Sequence, residues 1–291
     1  MKLQEALAKR KFVVTAEIAP PKGTDVAEVT EMGKKLKRWV HAVNVTDQQS
    51  STMRLGSMAV CHLLQEQGVD TIYQLTCRDR NRIALQSDLL SAHVLGLRNV
   101  LALTGDLPEL GDHYQAKQVY DIDSVHLLEA IAKLNDGFDM AGNPLKGKTE
   151  LFPGAVVNPG ADTEAAYELQ LIKFEKKVEA GAKFFQTQAI FDVETLNRFM
   201  KRVSRYNVPI LAGIVPLKSA GMARFMNMNI PGIHVPDNLI QQMAQSEDEE
   251  RTGNCIAGNL VRQFKPYCQG VHLMTIGRAE KVPAILKVAG L

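Results

Sequence analysis

NVLALTGDLPE (residues 99–109) opens as a strand and ends as a site. Val100, Leu101, Ala102 and Leu103 run on without a polar break. A half-buried strand would alternate, whereas a continuous apolar run suits a strand covered on both faces, as in a parallel sheet. The run then breaks into Thr104, Gly105 and Asp106, with Pro108 close behind. A buried strand that ends by presenting a carboxylate sets the question for the whole chain. Similar runs recur at FVVTAEI (12–18), AVNVT (42–46), TIYQLTC (71–77), LFPGAVVN (151–158), KFFQTQAI (183–190), PILAGIVPL (209–217) and GVHLMTI (270–276).

Helical patterns separate them. In VAEVTEMGKKLKRWV (26–40), Val26, Val29, Met32, Leu36 and Trp39 fall on one helical face. IALQSDLLSAHVLGL (83–97) and AAYELQLIKFEKKVEAGA (165–182) behave alike, and Gly181 suits a helix stop. VETLNRFMKRVSRY (193–206) follows Asp192, a side chain suited to an N-cap. Strand and helix alternating in this way predict an α/β fold, a single-domain (β/α)8 TIM barrel over residues 1–291. The open doubly wound sheet is disfavoured, because no strand exit reads G-x-G-x-x-G. DGFDMAGNPLKGKTE (136–150) reads as a hairpin-like excursion, and SEDEERTGNC (246–255) as a charged turn before a last helix. MKLQEALAKRKFVV reads as a short amphipathic helix leading into the first strand, not as a secretory signal.

Composition narrows the function. With 34 basic and 32 acidic residues, nothing calls for nucleic acid or an anionic membrane. No apolar run is long enough to span a bilayer, and a cytoplasmic location is expected. Cys61, Cys77, Cys255 and Cys268 are scattered, which argues against a zinc or iron–sulfur site, and no metal is expected. They read as structural thiols, with Cys77 kept in view because it sits at a strand end. The histidines are dispersed and read as surface or packing residues, with His113 and His126 kept as neighbours of a ligand. There is no G-x-S-x-G elbow and no phosphate-binding Walker loop.

In a (β/α)8 barrel the chemistry lies at the carboxyl ends of the strands. Those ends offer Glu17; Thr46, Asp47, Gln48 and Gln49; Gln74, Thr76 and Arg78; Thr104, Gly105 and Asp106; Asn158; Gln186 and Gln188; Thr275 and Arg278. So many amides and hydroxyls suit a flat heterocycle with donors and acceptors on its edge, a flavin or a pterin. Glu17 lies in the apolar VVTAEIAPP, and two readings stand. It is either a carboxylate paired with a buried base or a general acid, since desolvation favours the protonated carboxyl. Asp106 either caps its loop or stays ionised to stabilise positive charge on a bound ring. One protonated and one ionised carboxylate make a workable division of labour.

AEIAPPKG (16–23), VTDQQ (45–49), LTGDLP (103–108), AVVNP (155–159), KKVEAGAKFFQTQAIFD (176–192), GIVPL (213–217) and IGRAE (276–280) together resemble the methylenetetrahydrofolate reductase family. The resemblance runs over nearly the whole chain. VVNP and FFQTQ are most similar to the branch found in anaerobes and in fusions with homocysteine methyltransferases. It implies a flavoprotein barrel that makes 5-methyltetrahydrofolate. Glu17 then matches the acid that protonates N10 of the folate, and Asp106 the aspartate beside pterin and flavin that favours the iminium cation. Gln188 matches the glutamine that reads the pterin, and Arg278 lies in the motif near the folate. Thr46, Gln74, Thr104, Gly105, Tyr120 and Lys177 match flavin-contacting positions, with Asp106 and Asn158 beside them.

The chain departs from the family's pattern in places. Gln74 stands where relatives often have histidine, Thr104 where they often have arginine, and Asn158 within a motif that is often Tyr-Pro with a nearby His. The flavin is FAD by resemblance, and these departures leave FMN open. Ala220 and Met274 stand where aromatic residues are common in relatives that use free NADH. That directs attention to electrons from a partner electron-transfer subunit, alongside NAD(P)H, and to a homo- or hetero-oligomer. GMARFMNMN (221–229) is either a partner surface or a helix packed on the barrel. The rival functions are a pterin-dependent methyltransferase barrel without flavin, a non-catalytic subunit of a one-carbon complex, and a barrel of other chemistry.

Overall fold

The computed structural model describes residues 1–291. The elements run α1 (Leu3–Ala8), β1 (Val13–Ile18), α2 (Ala27–Leu36), β2 (Ala42–Val45), α3 (Ser57–Glu66), β3 (Thr71–Thr76) and α4 (Arg82–Val94). They continue with β4 (Asn99–Leu103), α5 (Ser124–Asp136), β5 (Phe152–Val157), α6 (Glu164–Glu179), β6 (Phe184–Ala189), α7 (Val193–Val203) and β7 (Ile210–Ile214). The chain finishes with α8 (Ala220–Asn229), α9 (Asp237–Ala244), α10 (Glu249–Phe264), β8 (Gly270–Leu273) and α11 (Val282–Ala289). All strands pair in parallel in sequence order, and β8 returns to β1 with Val13 opposite Gly270. The fold is the predicted (β/α)8 barrel.

Side chains alternate in and out along each strand, so the barrel interior fills in layers. Val13, Ala42, Ile72, Leu101, Phe184 and Leu211 make an apolar floor. Leu3, Ala6 and Leu7 of α1 close that floor from below. The predicted amphipathic helix is thus a plug for the amino-terminal mouth, tied by the Leu3 N–H to Asp70 at 2.8 Å. Above the floor the interior turns polar, with Thr15, Asn44, Gln186 and His272 all buried. The outward faces of the strands join the helices in the main core, including Val14, Val43, Tyr73, Val100, Phe185 and Val271.

Helices start within one residue of the expected positions and stop short of the expected ends. α2 stops at Leu36, so Trp39 lies in the turn that follows. The charged stretch before the late helix is largely that helix's own first turn. Asp248 caps it by accepting from the Arg251 N–H, and Glu249 and Glu250 favour the positive end of its dipole. It is not the last helix, since α11 follows β8. The 136–150 excursion does fold back on itself, through an antiparallel bridge between Phe138 and Pro144. The methionine-rich segment forms α8, with Ala223 and Met226 buried and Phe225 and Met228 exposed. No helix is long and apolar enough to cross a membrane.

Candidate active site

Glu17 is the next inward-pointing residue after Thr15 on β1, and its side chain is 12% exposed. Two nitrogens approach the same oxygen, Oε1: Gln74 Nε2 from β3 donates to it at 3.4 Å, and His272 Nε2 from β8 stands 3.4 Å away, at ion-pair distance. Below them, His272 Nδ1 sits 2.9 Å from Thr15 Oγ1. Gln186 Nε2 donates to Thr15 Oγ1 at 3.3 Å, and Gln186 and Asn44 exchange amide hydrogen bonds at 2.8 and 3.1 Å. The buried polar layer is therefore wired to the acid above it.

Asp106 has the opposite environment. It is exposed, and its carboxylate accepts no hydrogen bond, so it caps nothing. Its backbone carbonyl is gripped instead, by Ser51 Oγ at 3.0 Å, Arg78 Nη1 at 3.3 Å and Tyr120 Oη at 3.0 Å. Arg78 is only 3% exposed and also donates to Ser51 Oγ at 3.0 Å. Gly105 turns the chain at φ +96°, where a Cβ would stand 3.0 Å from Arg78 Cβ. A tight, clamped turn thus holds a free carboxylate at the end of β4.

Gln188 lies within an irregularity of β6. The β6–β7 register shifts between Gln186 and Ala189, the extra residue of a bulge, which re-aims side chains. Thr187 Oγ1 stitches it, accepting from the Gly213 N–H at 2.8 Å and donating to the Gln188 carbonyl at 2.7 Å. Gln188 is the exposed residue of β6.

Thr104, Gly105 and Tyr120 line an open cleft of ≈ 560 Å3, together with Asp123 and His126. Thr104 Oγ1 bonds Ser124 Oγ at 3.2 Å at the start of α5, and Tyr120 Oη also reaches the Gly105 carbonyl at 3.2 Å. His126 pairs with Asp123 at 2.8 Å, while His113 pairs with Asp112 away from that cleft. Lys177 comes in from α6 and donates to the Val156 carbonyl at 2.8 Å; burial pushes its ammonium down to about 8. Asn158 bridges loops, accepting from the Gly160 N–H and donating to the Pro231 carbonyl. Arg278 is exposed and pairs with Glu250 at 3.2 Å, in a small pocket shared with Lys218, Lys281 and Thr275. Thr46 Oγ1 and Thr275 Oγ1 are buried at strand ends without any partner.

The structure therefore joins Glu17 to Gln74, and Gly105 and Asp106 to Tyr120. Lys177, Asn158 and Arg278 are each held by partners of their own. Sequence reasoning missed His272. Its one available signal was a lone histidine in an apolar strand, two residues before Met274 on the same face. It also left open what Cys77 does; burial pushes that thiol up to about 12, so it is protonated and inert at neutral pH.

A family model described as methylenetetrahydrofolate reductase matches residues 2–290. The chain belongs to the methylenetetrahydrofolate reductase family. A 5,10-methylenetetrahydrofolate reductase of Pectobacterium carotovorum is 27% identical over 302 residues, covering 99% of this chain and 94% of that one. Methylenetetrahydrofolate reductase 2 of Schizosaccharomyces pombe is 27% identical over 295 residues. There the match covers 94% of this chain but 45% of the relative, so the chain spans less than half of that longer protein. Among solved structures, a protein from Clostridium thermocellum that binds two copies of 5-methyl-5,6,7,8-tetrahydrofolic acid aligns at TM-score 0.65. It covers 99% of this chain and 97% of that one at 16% identity, a likeness of fold. For a methylenetetrahydrofolate reductase family barrel, the strand ends just described are the place to look for chemistry.

Proposed function

We propose that the chain reduces 5,10-methylenetetrahydrofolate to 5-methyltetrahydrofolate, with a flavin held at the carboxyl end of the barrel. The observation that carries this reading is a pair of unlike carboxylates at that end. Glu17 is nearly buried and anchored through one oxygen; Asp106 is exposed and unpaired on a clamped turn. The names of the full-length bacterial relatives support the activity, and the folate bound by the Clostridium protein supports the substrate class.

The residues present fit a flavin. The Thr46 hydroxyl is buried without a partner, which a heteroatom on a ring edge would satisfy. We assign Thr46, Gln74, Thr104, Gly105, Tyr120, Asn158 and Lys177 to holding it. When bound and reduced, it supplies the hydride that turns the methylene bridge into a methyl group. The chain's own residues do the rest. Glu17 gives its proton to N10 as the bond between N10 and the methylene carbon breaks, and the electron pair stays on N10. The cation left on the folate is stabilised by the Asp106 carboxylate. The Gln188 amide offers a donor and an acceptor to the pterin edge, and Arg278 faces the remainder of the folate.

Electrons reach the site from NAD(P)H or from a partner electron-transfer subunit in a hetero-oligomer. The absence of an aromatic ring at Ala220 and Met274 favours the partner, because aromatic faces are what stack a nicotinamide. The test is anaerobic absorption spectroscopy of the purified chain, reconstituted with FAD or FMN if colourless. The reading expects a flavin spectrum that 5-methyltetrahydrofolate bleaches. Rapid bleaching by NADH would instead make the chain self-sufficient. Failure to hold either flavin would point to a methyltransferase or a non-catalytic subunit.

A further inference from the structure

We propose that His272 is the positioning residue for Glu17, holding one carboxyl oxygen so that the other carries the transferable proton. The inference rests on the reading of Glu17 as the acid that protonates the folate.

The geometry begins two strands away. Asn44 and Gln186 form a reciprocal amide pair. That pair turns the Gln186 Nε2 toward Thr15, whose hydroxyl oxygen accepts. The Thr15 proton then has two outlets, the Val271 carbonyl at 3.5 Å or His272 Nδ1 at 2.9 Å, and the shorter is the imidazole. A neutral imidazole that accepts at Nδ1 carries its proton at Nε2. Nε2 faces Glu17 Oε1. The opposite amide arrangement would make Nδ1 the donor and turn an Nε2 lone pair toward the carboxyl oxygen, an unfavourable contact. The polar layer thus sets the tautomer.

His272 and Gln74 both address Oε1. Oε2 is left for the proton that goes to N10. Once it has gone, the carboxylate keeps the Gln74 hydrogen bond at Oε1 with the His272 Nε2 N–H 3.4 Å away, close enough to tighten onto the charge as it forms. No proton leaves His272 in this step; the carboxylate recovers its proton from water. His272 is 2% exposed, and no other basic side chain lies within ion-pair reach of Glu17.

The experiment is a double-mutant cycle on the flavin-loaded protein, measuring the folate half-reaction in single turnovers alongside folate Kd. His272→Ala is expected to slow the step at least about tenfold while Kd moves by less than about threefold. His272→Gln, whose amide can place an N–H where Nε2 stood, is expected to recover most of the rate. In a Glu17→Gln background, adding His272→Ala is expected to cost less than about twofold, because both act through one carboxyl. Full additivity, with Glu17→Gln itself severely impaired, overturns the role of His272 and leaves the acid intact. An unimpaired Glu17→Gln overturns both. Should His272→Ala fail to fold, 15N NMR of the wild-type histidines decides: a buried imidazole protonated at Nε2 alone is expected. A signal protonated at Nδ1 alone overturns the inference.

Discussion

Glu17 and Asp106 were both legible as strand-end carboxylates, and each had two readings. For Glu17 the structure bears on the pairing reading, since a buried base, His272, faces it at 3.4 Å, and the general-acid reading stands as the proposal. For Asp106 the capping reading fails on geometry, because the carboxylate bonds nothing. Asp106→Asn keeps the shape and removes the charge. It is expected to slow the folate half-reaction about 10²-fold with folding unchanged, as stopped-flow and thermal melts would check. Lys177 makes a separate prediction in the apo-protein. Its folded-state pKa of about 8 lies below the ordinary lysine value of 10.5. Between those limits the folded chain has released a proton that the unfolded chain still holds, so this residue makes stability rise with pH across that window. Urea midpoints at pH 7.5 and 10 are expected to show an increment that Lys177→Met lacks. His272 was not legible, because an isolated histidine in a strand says nothing about what stands on the neighbouring strand.

At the scale of elements, most strands and helices were legible from periodicity, with ends trimmed by caps and turns. The β6–β7 bulge was not. FFQTQ and LAGI read as regular strands, yet Gly213 comes so close to β6 that a Cβ would sit 2.2 Å from the Thr187 carbonyl. Gly213→Ala is expected to destabilise by roughly 1–3 kcal/mol through overpacking and to weaken folate binding by moving Gln188. Urea titration and folate Kd measure the two effects. α1 was legible as amphipathic but not as a plug. Leu3 is fully buried against the barrel floor. Leu3→Ala is expected to cost about 2–5 kcal/mol, read from the shift in urea midpoint.

For the whole molecule, closure is the dominant fact. A closed parallel barrel leaves no strand edge, and each strand is held from both sides. The lone Trp39 follows α2, half-buried, with Lys287 of α11 5.8 Å from its ring centroid. Its fluorescence reports the seam where the two ends of the chain meet. Closure predicts one cooperative transition, with Trp39 fluorescence and far-UV circular dichroism coinciding in urea. An earlier fluorescence transition would mean that the seam opens first. Across the carboxyl face, Arg78 ties the loop after β2 to the turn after β4, and Arg80 ties that same loop to α4 through Asp47 and Asp88.

By itself the sequence determined the order of strands and helices, the barrel and the strand ends that carry Glu17 and Asp106. Each of these follows from local periodicity and from the rule that barrels work at their carboxyl ends. Tertiary structure alone decided which residues share the interior layers, that His272 meets Glu17, and that a register shift interrupts β6 beside Gln188. Those facts depend on register between strands far apart in the chain. Register is set by closing the whole barrel, and no local stretch of sequence encodes it.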